Sequence, residues 1–329
     1  VTADIDVAAA RKAISRIAVE TPAVQAPELS AKSGAHVWLK LENLQVTGSF
    51  KLRGAANKML SLSAGQRERG VVTCSSGNHG RAVAYVADML DIPATVCVPD
   101  WVDPTKLRAI RRHRAETILH GRSYDEAEER SYQIQRERGL AYVHPFDDPQ
   151  IIAGQGTIGL ELLEQVPMLD TVVVPLSGGG LISGITVALK REEPLIRVVA
   201  VSASNARVMH ESLEVGHPIV FPEAETIASA LSGGIDLNNR YTFRLVRDLV
   251  DEYLLVSEDE IRQAMAFALT EHKLVVEGGG AVGIAALLSG RFAGSGEITA
   301  VVVSGGNIEA GLLADVVASC ADHQPGRDG

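Results

Sequence analysis

Cysteine is scarce in this 329-residue chain: Cys74, Cys97 and Cys320 stand far apart with no Cys-x-x-Cys pair, an odd count that fits neither a disulfide framework nor a zinc site. A reducing compartment, the cytoplasm, is the simpler expectation. Basic charge is also short. Lys and Arg total 31 against 41 Asp and Glu, for a formal net charge of −10. No Lys/Arg-rich run is interleaved with aromatics, so a nucleic-acid backbone would be repelled, and DNA and RNA are set aside as partners. Long apolar runs are missing too. Nothing approaches the ~18 residues of a membrane span, and Asp4, Asp6, Arg11 and Lys12 interrupt the start of the chain, breaking any signal-peptide core. No membrane partner is expected. What remains, 46% hydrophobic and 22% charged residues, is ordinary for a globular chain with two lobes and a sizeable buried core.

From Gly70 onward, short β-branched runs alternate with helical stretches. The runs are Val71–Cys74, Ala94–Val98, Thr117–His120, Ala141–His144, Thr171–Leu176, Arg197–Ser202 and Ile298–Ser304. Such alternation predicts an α/β protein with parallel sheets wound by right-handed crossovers. The first four runs can close a small sheet of their own, whereas the later ones need partners outside that stretch. Two lobes follow: a small domain at 70–146, and a discontinuous large domain made of 1–69 and 147–329. Ahead of them, Val37–Leu41 reads as a further strand. It leads through Thr47-Gly48-Ser49-Phe50-Lys51 into a helix reaching about Leu60, a segment able to hold one side chain over the cleft between lobes. The polar tail after Cys320 is expected to fray, and no regulatory domain is expected beyond it.

Three of the strands end in a Ser/Gly turn that opens the next helix: Ser75-Ser76-Gly77-Asn78-His79, Ser177-Gly178-Gly179-Gly180-Leu181 and Ser304-Gly305-Gly306-Asn307. Ligands of open parallel sheets bind beyond the carboxyl ends of strands, so the turns point to one convergent site. The Ser177–Leu181 turn is the richest. Its backbone N–H groups and the dipole of the following helix can hold a phosphate without a basic side chain, and glycine lets the backbone approach closely. A plain tight turn is the alternative. A dinucleotide site is disfavoured, because the next strand ends in Ser202-Ala203-Ser204 with no acidic residue for a ribose, although Arg207 leaves NADP open.

A lysine on a helix is by default solvated. Lys51, however, stands at a helix start, where the dipole disfavours a cation, and beside Phe50, which would desolvate its amine. Both effects lower a lysine pKa, as nucleophilic or base chemistry requires.

Taken together, Ser49-Phe50-Lys51-Leu52-Arg53-Gly54-Ala55, Ser75-Ser76-Gly77-Asn78-His79-Gly80, Gly178-Gly179-Gly180-Leu181 and Ser304-Gly305-Gly306-Asn307 resemble, in order and spacing, the motif set of threonine dehydratases and serine racemases. The likeness runs from about Ile14 to Val317. It implies the two-lobed fold of the tryptophan-synthase β family and pyridoxal 5′-phosphate as cofactor. It further implies Lys51 as the Schiff-base lysine and Cα base, with Phe50 against the cofactor ring and Asn78 at its 3′-oxygen. Gly178, Gly179, Gly180 and Leu181 would hold the phosphate, and Ser304 would meet the ring nitrogen. The turn Ser75, Ser76, Gly77, Asn78 and His79 would bind the substrate carboxylate. The implied reaction is elimination of the β-hydroxyl of a β-hydroxy amino acid to a 2-oxo acid and ammonia, with racemisation or β-replacement as alternatives, in a homodimer. Ser76 is where racemases carry a hydroxyl opposite the lysine; it also reads as a helix cap. Glu277 reads as a carboxylate that orients cofactor or substrate, or as a cap.

The chain departs from its model in places. The relatives that bind a divalent cation do so through Glu and Asp where this chain has Ser202-Ala203-Ser204-Asn205-Ala206-Arg207-Val208, so no metal is expected. Ser177 stands for a glycine, and Glu277-Gly278-Gly279-Gly280 for a segment that usually continues Glu-Pro. With Leu231-Ser232-Gly233-Gly234-Ile235 and Asn238-Asn239-Arg240-Tyr241-Thr242-Phe243, these departures are most similar to the hydroxyectoine-utilisation dehydratase branch. A bulkier, hydroxyectoine-derived substrate is the expectation, with the 277–280 turn making room for it.

Overall fold

The computed structural model describes residues 2–222, 224–292 and 296–321. Within them, ten strands form two sheets. The strands are β1 (Ala23–Gln25), β2 (His36–Leu41), β3 (Val71–Cys74), β4 (Ala94–Val98), β5 (Glu116–Leu119), β6 (Ala141–Tyr142), β7 (Thr171–Pro175), β8 (Arg197–Ala203), β9 (Glu252–Val256) and β10 (Ile298–Val303). The larger sheet has the order β1-β2-β10-β7-β8-β9 and the smaller one β5-β4-β3-β6. Every pairing is parallel except β1 with β2. The α/β, parallel-rich architecture expected from the sequence is therefore present. Helices on both faces explain why β3, β4 and β7 are buried along their whole length and read as unbroken apolar runs. Two strands had no forecast. β1 has only three residues, and β9 is a half-buried edge without alternation.

The strands of the smaller sheet lie between residues 71 and 142. Its apolar cluster nevertheless draws in Leu52, Ala55, Ala56 and Met59 from the helix Lys51–Leu60. The opposite side of that helix meets the helix Pro149–Gln165 through a buried charge cluster. Arg53 donates to both oxygens of Glu42 at 2.8 Å, to Glu161 at 2.5 and 2.8 Å, and to Thr157 Oγ1 at 3.0 Å. Lys40 on β2 donates to Glu161 at 2.5 Å and to Gln165 at 2.9 Å. Each of the four charged residues is at most 3% exposed, and their formal charges cancel. Such a cluster persists only because every charge is paired and hydrogen-bonded. It locks the Lys51 helix to the end of β2. Among the described residues, no helix is long and apolar enough to cross a membrane.

Candidate active site

The three Ser/Gly turns follow β3, β7 and β10 at their carboxyl ends, and β7 and β10 are neighbours. The turn before Lys51 is pinned onto the Ser304 turn. Ser49 bridges to Gly305, Phe50 N–H donates to Ser304 O at 3.1 Å, and Gly306 N–H donates to Gly48 O at 2.9 Å. Gly48 has φ +77°, a left-handed conformation that favours glycine.

Lys51 opens its helix, as the sequence predicted. Its Nζ donates to Pro145 O at 2.7 Å and lies 5.2 Å from the Phe50 ring centroid. Burial pushes its pKa down to about 8. The residue after Pro145 shapes the Ser177–Leu181 turn: a Cβ on Gly178 would sit 2.4 Å from the Phe146 ring, and one on Gly180 2.9 Å from Phe146 Cα. Gly179 is left-handed at φ +85°. The turn opens the helix Gly180–Glu192, whose first N–H groups have no intrahelical acceptor. Leu181 is buried there, and Ser177 Oγ donates to Leu231 O at 2.7 Å.

In the first turn, Gly77 N–H donates to Ser75 Oγ at 3.2 Å. Gly77 occupies the N-cap position of the helix Asn78–Met89, which has no side-chain cap, so Ser76 is not the cap that one reading made it. The His79 imidazole is buried against Val143 O at 2.9 Å, and burial, with the Lys51 charge, lowers its pKa to about 3. Its ring is thus committed to the scaffold, leaving only its backbone N–H for a ligand. Burial likewise raises the Cys74 thiol pKa, in keeping with an inert strand residue.

Glu277 precedes the helix Gly278–Leu288 but makes no side-chain cap to it. Instead Asn78 Nδ2 donates to Glu277 Oε1 at 2.6 Å, and burial raises the Glu277 pKa to about 7. Asn307 Nδ2 donates to Asn78 Oδ1 at 2.6 Å, and Arg81 Nη1 to Asn307 Oδ1 at 2.6 Å. The 277–280 turn does not open space, which corrects the expectation of extra room. A Cβ on Gly278 would lie 2.4 Å from Ile227 O, and one on Gly280 2.5 Å from Gly305 O. These glycines serve close packing.

His144 was expected to end a strand that stops at Tyr142; residues 145–147, Arg81 and the partners of Asn307 had no forecast. His144 Nδ1 accepts from Phe146 and Asp147 N–H at 3.1 and 2.8 Å. Asp147 in turn accepts from the N–H groups of Arg240, Tyr241 and Thr242 at 2.6, 2.9 and 2.9 Å. The available signal was position: this segment leaves the end of the fourth expected strand without a Ser/Gly signature. In the stretch 202–208, Arg207 donates to Glu211 at 2.6 Å and to Ser204 O at 2.7 Å.

These residues fit pyridoxal phosphate. The Lys51 amine is bonded to a carbonyl and to no carboxylate. The Gly178–Leu181 turn presents helix-terminal N–H groups, and the buried Ser304 hydroxyl has only a long contact, 3.4 Å, to Gly279 O. A family model described as pyridoxal-phosphate dependent enzyme matches residues 14–305. The L-threonine ammonia-lyase of Thermotoga maritima is 41% identical over 312 residues, 95% of this chain and 77% of that one. Maize serine racemase superposes with a TM-score of 0.90 at 36% identity, covering 97% of this chain and 99% of that one. Threonine deaminase isoform 2 of Solanum lycopersicum gives 0.89 at 32%, covering 95% and 92%. This chain therefore belongs to the pyridoxal-phosphate dependent enzymes, has the fold of threonine deaminases and serine racemases within them, and takes pyridoxal 5′-phosphate as its cofactor.

Proposed function

We propose that the protein is a lyase that removes the β-hydroxyl of a threonine- or serine-like amino acid, releasing a 2-oxo acid and ammonia. The observation that carries this reading is the Lys51 amine, buried at a helix start and bonded only to a carbonyl, with a pKa lowered to about 8. A lysine so placed is neutral often enough near neutral pH to tether a carbonyl and to accept a proton. Bound there, the cofactor supplies the electron sink for charge left at the substrate Cα. Lys51 tethers it and takes the Cα proton. Phe50 packs on the ring, and the N–H groups of Gly178–Leu181 hold the phosphate. Asn78 donates to the 3′-oxygen, with Glu277 behind it. Ser304 meets the ring nitrogen with a neutral hydroxyl, which keeps the sink modest and favours loss of a β-substituent. The N–H groups and hydroxyls of Ser75–His79 hold the substrate carboxylate. The proton that Lys51 took passes to the departing hydroxyl, which leaves as water; the freed amine then displaces the enamine, which takes up water and hydrolyses to oxo acid and ammonia.

The small domain at 70–146 and the remaining large domain close around the substrate. Although Leu52–Met59 pack on the smaller sheet, the Arg53 charge cluster and the bonds of residues 48–50 to the Ser304 turn hold the Lys51 helix to the large domain. The assembly is a homodimer in the cytoplasm, working without a bound cation. The narrower substrate class, a hydroxyectoine-derived amino acid, rests only on the sequence resemblance of residues 231–235 and 238–243.

A panel of β-hydroxy amino acids, including hydroxyectoine-derived ones, assayed for oxo acid with and without Mg²⁺, tests the reading. Oxo acid from a single substrate separates elimination from β-replacement, which needs a second nucleophile. Protein purified without the visible absorbance of bound pyridoxal, together with full activity in Lys51→Ala, would sink it. Racemisation is the second reading, favoured by Ser76, whose hydroxyl neither caps the helix nor bonds another described residue. Chiral analysis of recovered substrate, wild type against Ser76→Ala, decides it.

A further inference from the structure

We propose that Arg81 and Asn307 are positioning residues that fix which face of the Asn78 amide is turned toward the cofactor. The inference rests on the reading that Asn78 donates to the cofactor's 3′-oxygen.

An asparagine amide has two nearly isosteric orientations, and only its hydrogen-bond partners choose between them. Here the choice is forced from the far end. Arg81 is a guanidinium and can only donate; the Thr47 carbonyl can only accept. Asn307 lies between them, with Oδ1 accepting from Arg81 Nη1 at 2.6 Å and Nδ2 donating to Thr47 O at 2.9 Å. Reversed, it would set donor against donor and acceptor against acceptor. With Asn307 fixed, its Nδ2 also reaches Asn78 at 2.6 Å, so the Asn78 atom facing it must be Oδ1. The Asn78 Nδ2 then points to Glu277 Oε1 at 2.6 Å, which accepts whether or not the carboxyl is protonated. One N–H of that amide remains, and it is a donor. Had the amide turned over, a carbonyl would face the cofactor oxygen and repel it.

The backbone makes room for this chain of bonds at both ends. A Cβ on Gly48 would lie 2.4 Å from Asn307 Oδ1, and one on Gly305 would lie 2.3 Å from Glu277 Oε1. Asn78 and Arg81 sit three residues apart on the helix after β3, and so share a face. Asn307 and Glu277 belong to turns of the other sheet. The orientation of Asn78 is therefore correct only when the two sheets are seated together.

The test measures cofactor affinity and the visible band of the bound cofactor in the full-length protein. Arg81→Met and the isosteric Asn307→Asp, which replaces the donor to Asn78 by an acceptor, are expected to weaken pyridoxal phosphate binding about tenfold, the equivalent of ~1.4 kcal/mol, and to shift the band. Arg81→Lys, which restores a donor, should return affinity to within about threefold of wild type, a rescue that a merely structural role would not predict. Should Arg81→Met fail to fold, Asn307→Asp carries the test alone. Asn78→Ala separates the two layers of argument. If it changes affinity and band while folded Arg81→Met and Asn307→Asp do not, the positioning inference is overturned and the role of Asn78 stands. If Asn78→Ala itself changes nothing, both fall.

Discussion

Replacing Arg53 by Met removes the group that two buried carboxylates share, two residues along the helix from Lys51. Glu42 then keeps no cationic hydrogen-bond partner, while Glu161 retains Lys40 at 2.5 Å. Breaking a buried, hydrogen-bonded ion pair costs about 3–5 kcal/mol, mostly from the charge left behind. The cheapest relief is for Glu42 to take up a proton. With an ordinary value of 4.5 and ~1.36 kcal/mol per unit, that relief costs about 3 kcal/mol at pH 7. The destabilisation should therefore be about 3–4 kcal/mol at pH 7 and shrink toward ~1 kcal/mol at pH 5, where protonation is nearly free. The sign agrees from the wild-type side. Arg53 holds the Glu42 pKa below its ordinary value despite burial, so the stabilisation is present above about 4.5 and is lost as pH falls through the lower, folded value. Urea unfolding of the apo-protein at the two pH values measures it, alongside the double variant Glu42→Gln/Arg53→Met. That double should recover most of the loss, because no charge is stranded. A cost for Arg53→Met below ~1 kcal/mol at pH 7, or a deficit equal at both pH values and unrelieved by the double, would refute the reasoning.

Other expectations follow from the same geometry. Because burial brings Lys51 to about 8, incorporation of pyridoxal phosphate into apo-protein should accelerate as pH rises with a midpoint near 8; a midpoint near 10 contradicts the buried-amine argument. Glu277, raised to about 7 from 4.5, lends its stability fully below about pH 4.5 and loses it as pH rises through 7. Thermal melts of apo-protein should thus show Glu277→Gln gaining about 3 kcal/mol on wild type across that window, and parallel curves would count against it. Gly178→Ala, whose new Cβ meets the Phe146 ring at 2.4 Å, should cut cofactor affinity at least tenfold. Adding Phe146→Leu should restore part of it, and a double no better than the single would place the strain elsewhere.

Much of this molecule was legible from sequence because its central strands are buried on both faces. Continuous runs such as Thr171–Pro175 and Ile298–Val303 leave little ambiguity, and the Ser/Gly turns at their ends are strong punctuation. The short β1 and the half-buried β9 offer no such contrast. Lys51 stands out in the sequence by its place in a motif and at a helix start. Pro145 and Phe146, which hold its amine and shape the phosphate turn, come from a segment with no glycine signature, and only the three-dimensional approach of their chain reveals them. Glu277 stood correctly at a helix start, yet its side chain reaches across to Asn78 rather than capping its own helix, a choice set by tertiary neighbours. The 277–280 glycines misled for the same reason: glycine marks a close approach as readily as an open space.

The position of β10 has a consequence for biosynthesis. Among the described residues it is the last strand, and yet it lies in the interior of its sheet, between β2 and β7. Until residues 298–303 have left the ribosome, β2 and β7 each present an unpaired, apolar edge, and the turn carrying Lys51 lacks the Ser304–Gly306 backbone to which it bonds. From the emergence of β7 until that of β10, a nascent chain thus carries two half-sheets with sticky edges. The smaller sheet, complete by residue 142, is free to form much earlier. A ribosome stalled or a message truncated before β10 would release a chain that cannot build its cofactor site and that exposes two edges primed for aggregation.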